Sequence, residues 1–151
     1  MLDNEYYKSI RILGYLLVGY SLLKALGLTT ATVLERLHTE YNFAQRNKLI
    51  NGGYFGIDVT EIANSLALSK NEVINSLNRL IELQLIEIPK VNGINVAYID
   101  QEQIIQFVKD VEKENNYTDW DNGLKSIQYS AYRELDDYFK EDDDENEIID
   151  D

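Results

Sequence analysis

Cysteine is missing from this chain of 151 residues, and histidine, methionine and tryptophan each occur once. Without cysteine there is no disulfide framework, no thiolate nucleophile and no cysteine-based zinc site. The lone histidine, His38, argues against a histidine-rich metal centre and against a Ser-His-Asp hydrolase. With no partner cluster near it in the chain, His38 reads as a packed or surface residue rather than a ligand. The sequence also contains no GxxxxGK[ST] phosphate loop, no dinucleotide fingerprint and no GxSxG elbow. These absences predict a protein that is not an enzyme and needs no cofactor.

Long hydrophobic runs are absent too. The most apolar stretch, Ile12 to Leu23, is interrupted by Gly14, Gly19 and Ser21, and a membrane-spanning helix needs roughly 20 apolar residues. It lacks the basic start and small-residue cleavage site of a signal peptide. The expectation is a cytoplasmic protein with no membrane partner.

Positive charge is scarce: 14 Lys and Arg face 27 Asp and Glu, for a net −13. The imbalance is uneven. Residues 1–28 carry three basic and two acidic groups, residues 29–110 seven and ten, and residues 111–151 four and fifteen. Eight of those fifteen acids fall in EDDDENEIIDD at the end of the chain, which lacks the glycine and oxygen spacing of an EF-hand loop. Charge of this kind promotes solubility, repels nucleic acid and suits a basic protein partner. The middle of the chain is near neutral, so duplex DNA is not excluded there.

The ordered part of the chain is marked by its punctuation. The segment SIRILGYLLVGYSLLKALGL reads either as a buried strand followed by a short helix or as a longer apolar helix, and its two interior glycines favour the strand or a broken element. Thr29 or Thr30 is a candidate cap for a helix running to about Lys48, with Val33, Leu34, Leu37, Tyr41 and Ala44 on its buried face and Glu35, Arg36 and Glu40 outside it. Asn51-Gly52-Gly53 ends it, and Tyr54 to Ile57 reads as a small first strand. Two well-signposted helices follow. Asp58 with Glu61 and Ser69 with Glu72 have capping-box spacing. Ile62, Ala63 and Leu66 mark the apolar face of the first, and Val73, Ile74, Leu77, Leu80 and Ile81 that of the second. Ala67-Leu68 makes the tight connection a helix-turn-helix requires. Leu85–Val91 and Ile94–Ile99 are β-rich around a turn at Asn92-Gly93. Asp100 with Gln103 then caps a helix over 101–114 carrying Ile104, Ile105, Val108 and Val111.

Asn115-Asn116 breaks the pattern, and Thr118 with Asp121 resembles a further capping box. Trp120, Leu124, Ile127, Ala131, Leu135 and Tyr138 then advance by three or four residues. That stripe suits a docking face, either on the chain's own core or in a homodimer. The expected organisation is an apolar N-terminal segment over 1–28, packed on the core or on a dimer partner. A winged helix-turn-helix domain follows over 29–114, an amphipathic helix over 115–140 and a disordered acidic tail over 141–151. The fold class is mainly α (α+β), with a small β-hairpin wing and additional C-terminal helices.

In such a fold the second helix enters the major groove. Its outward positions are Lys70, Asn71, Asn75, Asn78 and Arg79, and Lys90 stands just before the wing tip. Asparagine can pair with adenine through two hydrogen bonds, which suits Asn71, Asn75 and Asn78 to bases and Lys70, Arg79 and Lys90 to phosphates. The bland reading of the same residues is a polar, solvated helix face. Arg46 and Lys48 are further phosphate candidates.

The runs GLTTATVLERL, GYFGIDVTEIANSLALSKNEVINSLNRLIELQLIEI and NGINVAYID resemble the N-terminal winged-helix domains of phage and plasmid replication initiators of Gram-positive bacteria, including DnaD-like replisome organisers. The likeness covers roughly residues 10–100. It implies double-stranded DNA as partner and a role in DNA replication or transcription regulation. Two departures stand out. Gln84 occupies a turn where such proteins usually carry glycine, which implies a strained or remodelled left-handed cap. The helicase-engaging C-terminal domain has no counterpart beyond one helix and the acidic tail, so an accessory factor or small regulator of a mobile element fits better than a full initiator. The competing expectation is an acidic protein-interaction module, partner-binding or DNA-mimicking, with the winged helix as scaffold.

Overall fold

The helices of this chain start and stop on residues that can be named. The computed structural model describes the backbone of residues 3–11, 13–114 and 118–150, and the side chains of 3–11, 13–113 and 122–141. In chain order the elements are α1 (Asn4–Ile10), α2 (Tyr20–Leu26), α3 (Leu28–Arg46), β1 (Phe55–Gly56), α4 (Val59–Leu66), α5 (Lys70–Glu82), β2 (Ile86–Glu87), β3 (Lys90–Val91), β4 (Ile94–Ile99), α6 (Gln101–Glu114) and α7 (Thr118–Asp150). The architecture is a winged helix-turn-helix, mainly helical, with a small antiparallel sheet and additional C-terminal helices.

Among its described residues, the N-terminal apolar segment is a broken element without a strand. Asp3 caps α1, its carboxylate accepting from Tyr6 N–H at 2.9 Å. Residues 13–19 form no regular structure beyond a turn at Leu13, and Gly19 opens α2. Gly27, at φ 82°, closes α2 and also stands at the start of α3. The expected threonine cap is therefore displaced. Thr30 is buried, and its hydroxyl donates to Ser76 Oγ at 3.4 Å.

The core gathers Leu22 and Leu26 from α2, Ala31, Val33, Leu34 and Leu37 from α3, Ile62 and Ala63 from α4, and Val73, Leu77 and Leu80 from α5. Phe55, Leu85, Ile86, Ala97 and Ile99 add the sheet side. Phe55 meets Tyr41 edge to face at 5.6 Å, which ties β1 to α3. Each fully buried leucine or isoleucine stabilises the fold by about 1.5–3 kcal/mol. Ile104, Phe107 and Val108 of α6 pack against the same cluster, whereas Ile105 is exposed.

The sheet has the order β1-β4-β2, with β3 also paired to β4. The β-rich run Leu85–Val91 is two short strands rather than one, because Pro89 offers no N–H to the ladder. The wing turns at Asn92 and Gly93, both at positive φ (54° and 80°), with Lys90 opposite Asn95 and Val91 opposite Ile94. Gly53 is required at its position. Its φ is 84°, and a Cβ there would lie 2.8 Å from the Tyr98 ring.

Three helices end in one geometry without glycine. Leu49, Leu68 and Leu85 N–H donate to the carbonyls of Ala44, Ala63 and Leu80, five residues back, at 2.8, 3.0 and 3.0 Å. The residue before each donor, Lys48, Ala67 and Gln84, is left-handed at φ 57°, 54° and 61°. These are Schellman ends; at two of them, Leu68 and Leu85, the leucine just past the turn also packs on the core, whereas Leu49 is exposed. Gln84 thus holds the left-handed conformation anticipated for a glycine.

The chain divides into two units, Met1–Val111 and Glu112–Asp151. In the second, α7 takes in residues 141–150, where disorder was the expectation. The run after Gly123 contains neither glycine nor proline, and glutamate is a good helix former. Lys140 pairs with Asp136 one turn earlier at 3.1 Å. Among the described residues, no helix is long and apolar enough to cross a membrane.

Candidate nucleic-acid interface

The exposed face of α5 is held by its first turn. Ser69 Oγ accepts from Glu72 N–H and Glu72 Oε1 accepts from Ser69 N–H, both at 3.1 Å. This complete capping box satisfies two groups that a helix start otherwise leaves unpaired. The preceding helix is capped differently. Asp58 Oδ1 accepts from Thr60 and Glu61 N–H at 2.8 and 3.2 Å, but Glu61 turns away to Arg36. Leu68, half-buried, plugs the turn between them.

Val73, Ser76, Leu77 and Leu80 are the buried positions of α5. At 100° per residue, Asn71, Asn75, Asn78 and Glu82 fall on the opposite side, with Arg79 on one flank. Lys70, Asn71, Asn75, Asn78, Arg79 and Lys90 are all exposed. Asn75, Asn78 and Arg79 are brought together around an open concavity of about 520 Å³ that Glu82 and Leu83 complete. Lys70 and Asn71 belong to the first turn of α5, outside that lining. Lys90 is on a separate element, the wing.

Ile74 and Ile81 depart from the expected core face. They are 42% and 39% exposed and flank the asparagine row on the side away from Arg79. Simple periodicity grouped them with the core because every apolar residue counted equally. The signal against them was Ser76, a small polar residue that occupies the buried arc and pairs with Thr30.

The electrostatics of this head are balanced. Lys70, Arg79 and Lys90 are matched by Glu72, Glu82 and Glu87 on α5 and β2. Glu72 is committed to its cap. Glu87 accepts from the Tyr54 hydroxyl at 3.2 Å, a bond that holds the phenol above its ordinary pKa. Arg46 and Lys48 are exposed at the end of α3. His38, half-exposed, lies 3.4 Å from Glu35 on its own helix.

A second polar site was missed by sequence reasoning. Arg36 Nη2 donates to both oxygens of Glu61 at 3.0 Å and lies 3.5 Å from Glu40 Oε1. Glu40 is largely buried, and its pKa is pushed up to about 7 by desolvation, against the pull of Arg36 and with the help of Glu61 and Asp58. Arg36 Nε and Glu40 Oε2 are buried without a hydrogen-bond partner. Arg36 and Glu61 are 25 residues apart, so no local pattern links them. Among the described residues, no group of three or more His, Asp or Glu is assembled to hold a metal ion.

On α7, the expected docking residues Leu124, Ile127, Leu135 and Tyr138 are exposed at 45–64%. Trp120 falls outside the described side chains.

No protein-family model matches this chain, and no curated protein matches it by sequence. Solved structures do. One described as the N-terminal domain of a DNA binding protein is 14% identical, aligning 77% of this chain with 95% of that one at a TM-score of 0.50. The likeness is one of fold. A possible transcriptional regulator from Methanosarcina mazei Go1 is 17% identical over 73% of this chain and 84% of its own, with a TM-score of 0.44. The AntR antimony-specific transcriptional repressor is 14% identical over 87% and 88%, with a TM-score of 0.34.

Proposed function

We propose that this chain is a winged-helix DNA-binding protein of a phage or mobile element, acting on duplex DNA in transcription regulation or DNA replication. The observation that carries the reading is the row Asn71, Asn75 and Asn78 on the exposed side of a fully capped second helix. Asparagine pairs with adenine, and Ile74 and Ile81 beside the row suit the methyl group of thymine. Together they favour an A·T-containing site. Lys70, Arg79 and Lys90 serve as phosphate contacts. Three such contacts per protomer give a salt slope of roughly −3, shallow for a DNA binder. The DNA binding protein of similar fold supports the assignment. Nothing in the reading calls for catalysis.

The same proposal makes the protein a homodimer through α7, whose exposed Leu124, Ile127, Leu135 and Tyr138, with Trp120, would meet their counterparts in a second copy. A monomer mass at micromolar concentration would remove this part. Fluorescence anisotropy with A·T-rich and G·C-rich duplexes at low salt tests the rest. The intact protein should prefer the A·T-rich duplex. Deletion of residues 141–151 should tighten binding to both, because it removes repulsive charge. Replacing Lys70, Arg79 and Lys90 together with alanine should weaken both at least tenfold; unchanged binding rejects the groove assignment.

The second reading is an acidic protein-interaction module that binds a basic partner through its C-terminal region or imitates DNA. The net charge of −13 and the balanced charge of the α5 head favour it. Failure of both the intact and the shortened protein to bind any duplex at low salt would make it the better account.

A further inference from the structure

The polar cluster on α3 forms the floor and one wall of a hollow. About 480 Å³ in volume, it is lined by Arg36, Glu40 and Phe43 of α3, Leu49, Gly56 of β1 and Glu61 of α4, among others. One end is charged and the other apolar. At the charged end a single guanidinium faces two carboxylates, Glu40 and Glu61, and the charge of Asp58 also acts on Glu40 from outside the lining. Arg36 is turned toward Glu61, and Asp58 is committed to the start of α4. Glu40 is left with the longest contact, 3.5 Å, and with one oxygen that accepts nothing. That oxygen is covered as it stands, and a glutamate's terminal torsion is soft, so a ligand would reach it by turning the carboxylate. At the apolar end Phe43 and Leu49 are 58% and 64% exposed. Leu49 and Gly56 also line an adjoining concavity of about 570 Å³ that runs on past Tyr54, Pro89 and Val96 to the base of the wing.

We propose that this hollow binds a small amphipathic organic cation, a hydrophobic amine or amidine, with its positive group at Glu40 and its apolar body along Phe43, Leu49 and Gly56. A cation supplies the charge the cluster lacks and gives the unpartnered Glu40 oxygen a donor. An anion would meet the net negative charge of Glu40, Glu61 and Asp58. A bare metal ion would have to share the carboxylates with the Arg36 guanidinium, and they are not grouped for it. The apolar surface selects for a hydrophobic body, as small-molecule sites generally do.

Binding of this ligand is independent of whether α5 reads DNA, so failure of either idea leaves the other standing. The test uses the full chain with 4-phenylbutylamine and its neutral counterpart 4-phenylbutanol, followed by calorimetry and by backbone amide shifts. For a ligand of this size a Kd on the order of 1 mM is expected. At pH 8 the amine should bind about tenfold more tightly than the alcohol, one charge-assisted contact being the difference. Glu40 is half-ionised at about pH 7, so at pH 6 the amine should bind about tenfold more weakly while the alcohol is unchanged. Glu40→Gln should abolish the preference for the amine. Gly56→Leu should weaken both ligands; a Cβ at Gly56 meets nothing within 4 Å, and an unchanged thermal unfolding curve checks that the variant is folded. Equal binding of amine and alcohol overturns the proposal. So does a preference that survives Glu40→Gln, an amine affinity indifferent to pH, failure of either probe to bind, or a Gly56→Leu protein that binds both as before.

Discussion

The outer row of α5 and the cluster between α3 and α4 use similar polar chemistry to opposite ends. Asn71, Asn75 and Asn78 are exposed and uncharged. Arg36, Glu40 and Glu61 are charged, and part of their surface is removed from water. Water screens the first set, so its members cost the fold little and are available to a partner. In the second set Arg36 and Glu40 are largely desolvated, and their interactions are correspondingly stronger and more dependent on protonation. Polar groups left in water can therefore serve a partner at little cost to the fold, while charge that looks solvated in a sequence can matter to folding.

The largest break in this comparison should come from Arg36→Ala. It strips Glu61 of a two-oxygen partner and Glu40 of its countercharge, and should cost about 2 kcal/mol in urea unfolding at pH 8. A loss no greater than for an exposed lysine would make the cluster an ordinary solvated ion pair. Next is Glu40→Gln. The folded state holds the Glu40 proton more tightly than the unfolded one, with pKa values of about 7 and 4.5. That contribution to stability is full below pH 4.5 and is lost as the pH rises through 7. The glutamine variant, which has no charge to desolvate, should gain about 1–2 kcal/mol on the parent between pH 4.5 and 8, after allowance for partial exposure. A constant difference across that window would refute the assignment. Smaller again is Ser69→Ala, which removes half the capping box and should cost about 1 kcal/mol. Last, Asn75→Ala with Asn78→Ala should change stability by less than about 0.5 kcal/mol, while lowering affinity for an A·T-rich duplex at least tenfold. Loss of stability instead of affinity would mean that the row belongs to the fold.

The first of the two regions was legible and the second was not, for a physical reason. Asp58, Ser69 and Asp100 announce their helices because a cap acts within three residues. Asn92-Gly93 announces the wing because two consecutive positive φ values exclude most residues. Those local rules placed α4, α5, the wing turn and α6, and with them the exposed candidates on α5 and at Lys90. Other features depend on what lies across the core. Thr30 is a buried partner of Ser76, although its neighbourhood looked like a cap. Ile74, Ile81 and Ile105 are exposed despite their apolar character. Glu40 gained its burial and its neighbours from β1 and α4. Helix α1 was overlooked because no core residue marks it.

The left-handed residues Lys48, Ala67 and Gln84 have a consequence for heat resistance. Each bears a side chain at a φ where L-residues lose roughly 1 kcal/mol. The three turns lie at different helix ends, so glycine replacements should add nearly independently. With about 3 °C gained per kcal/mol in a chain of this size, Lys48→Gly, Ala67→Gly and Gln84→Gly together should raise the melting temperature by roughly 8–10 °C, readable by calorimetry. A gain of that size would locate the margin in three turns rather than in the packing of the core.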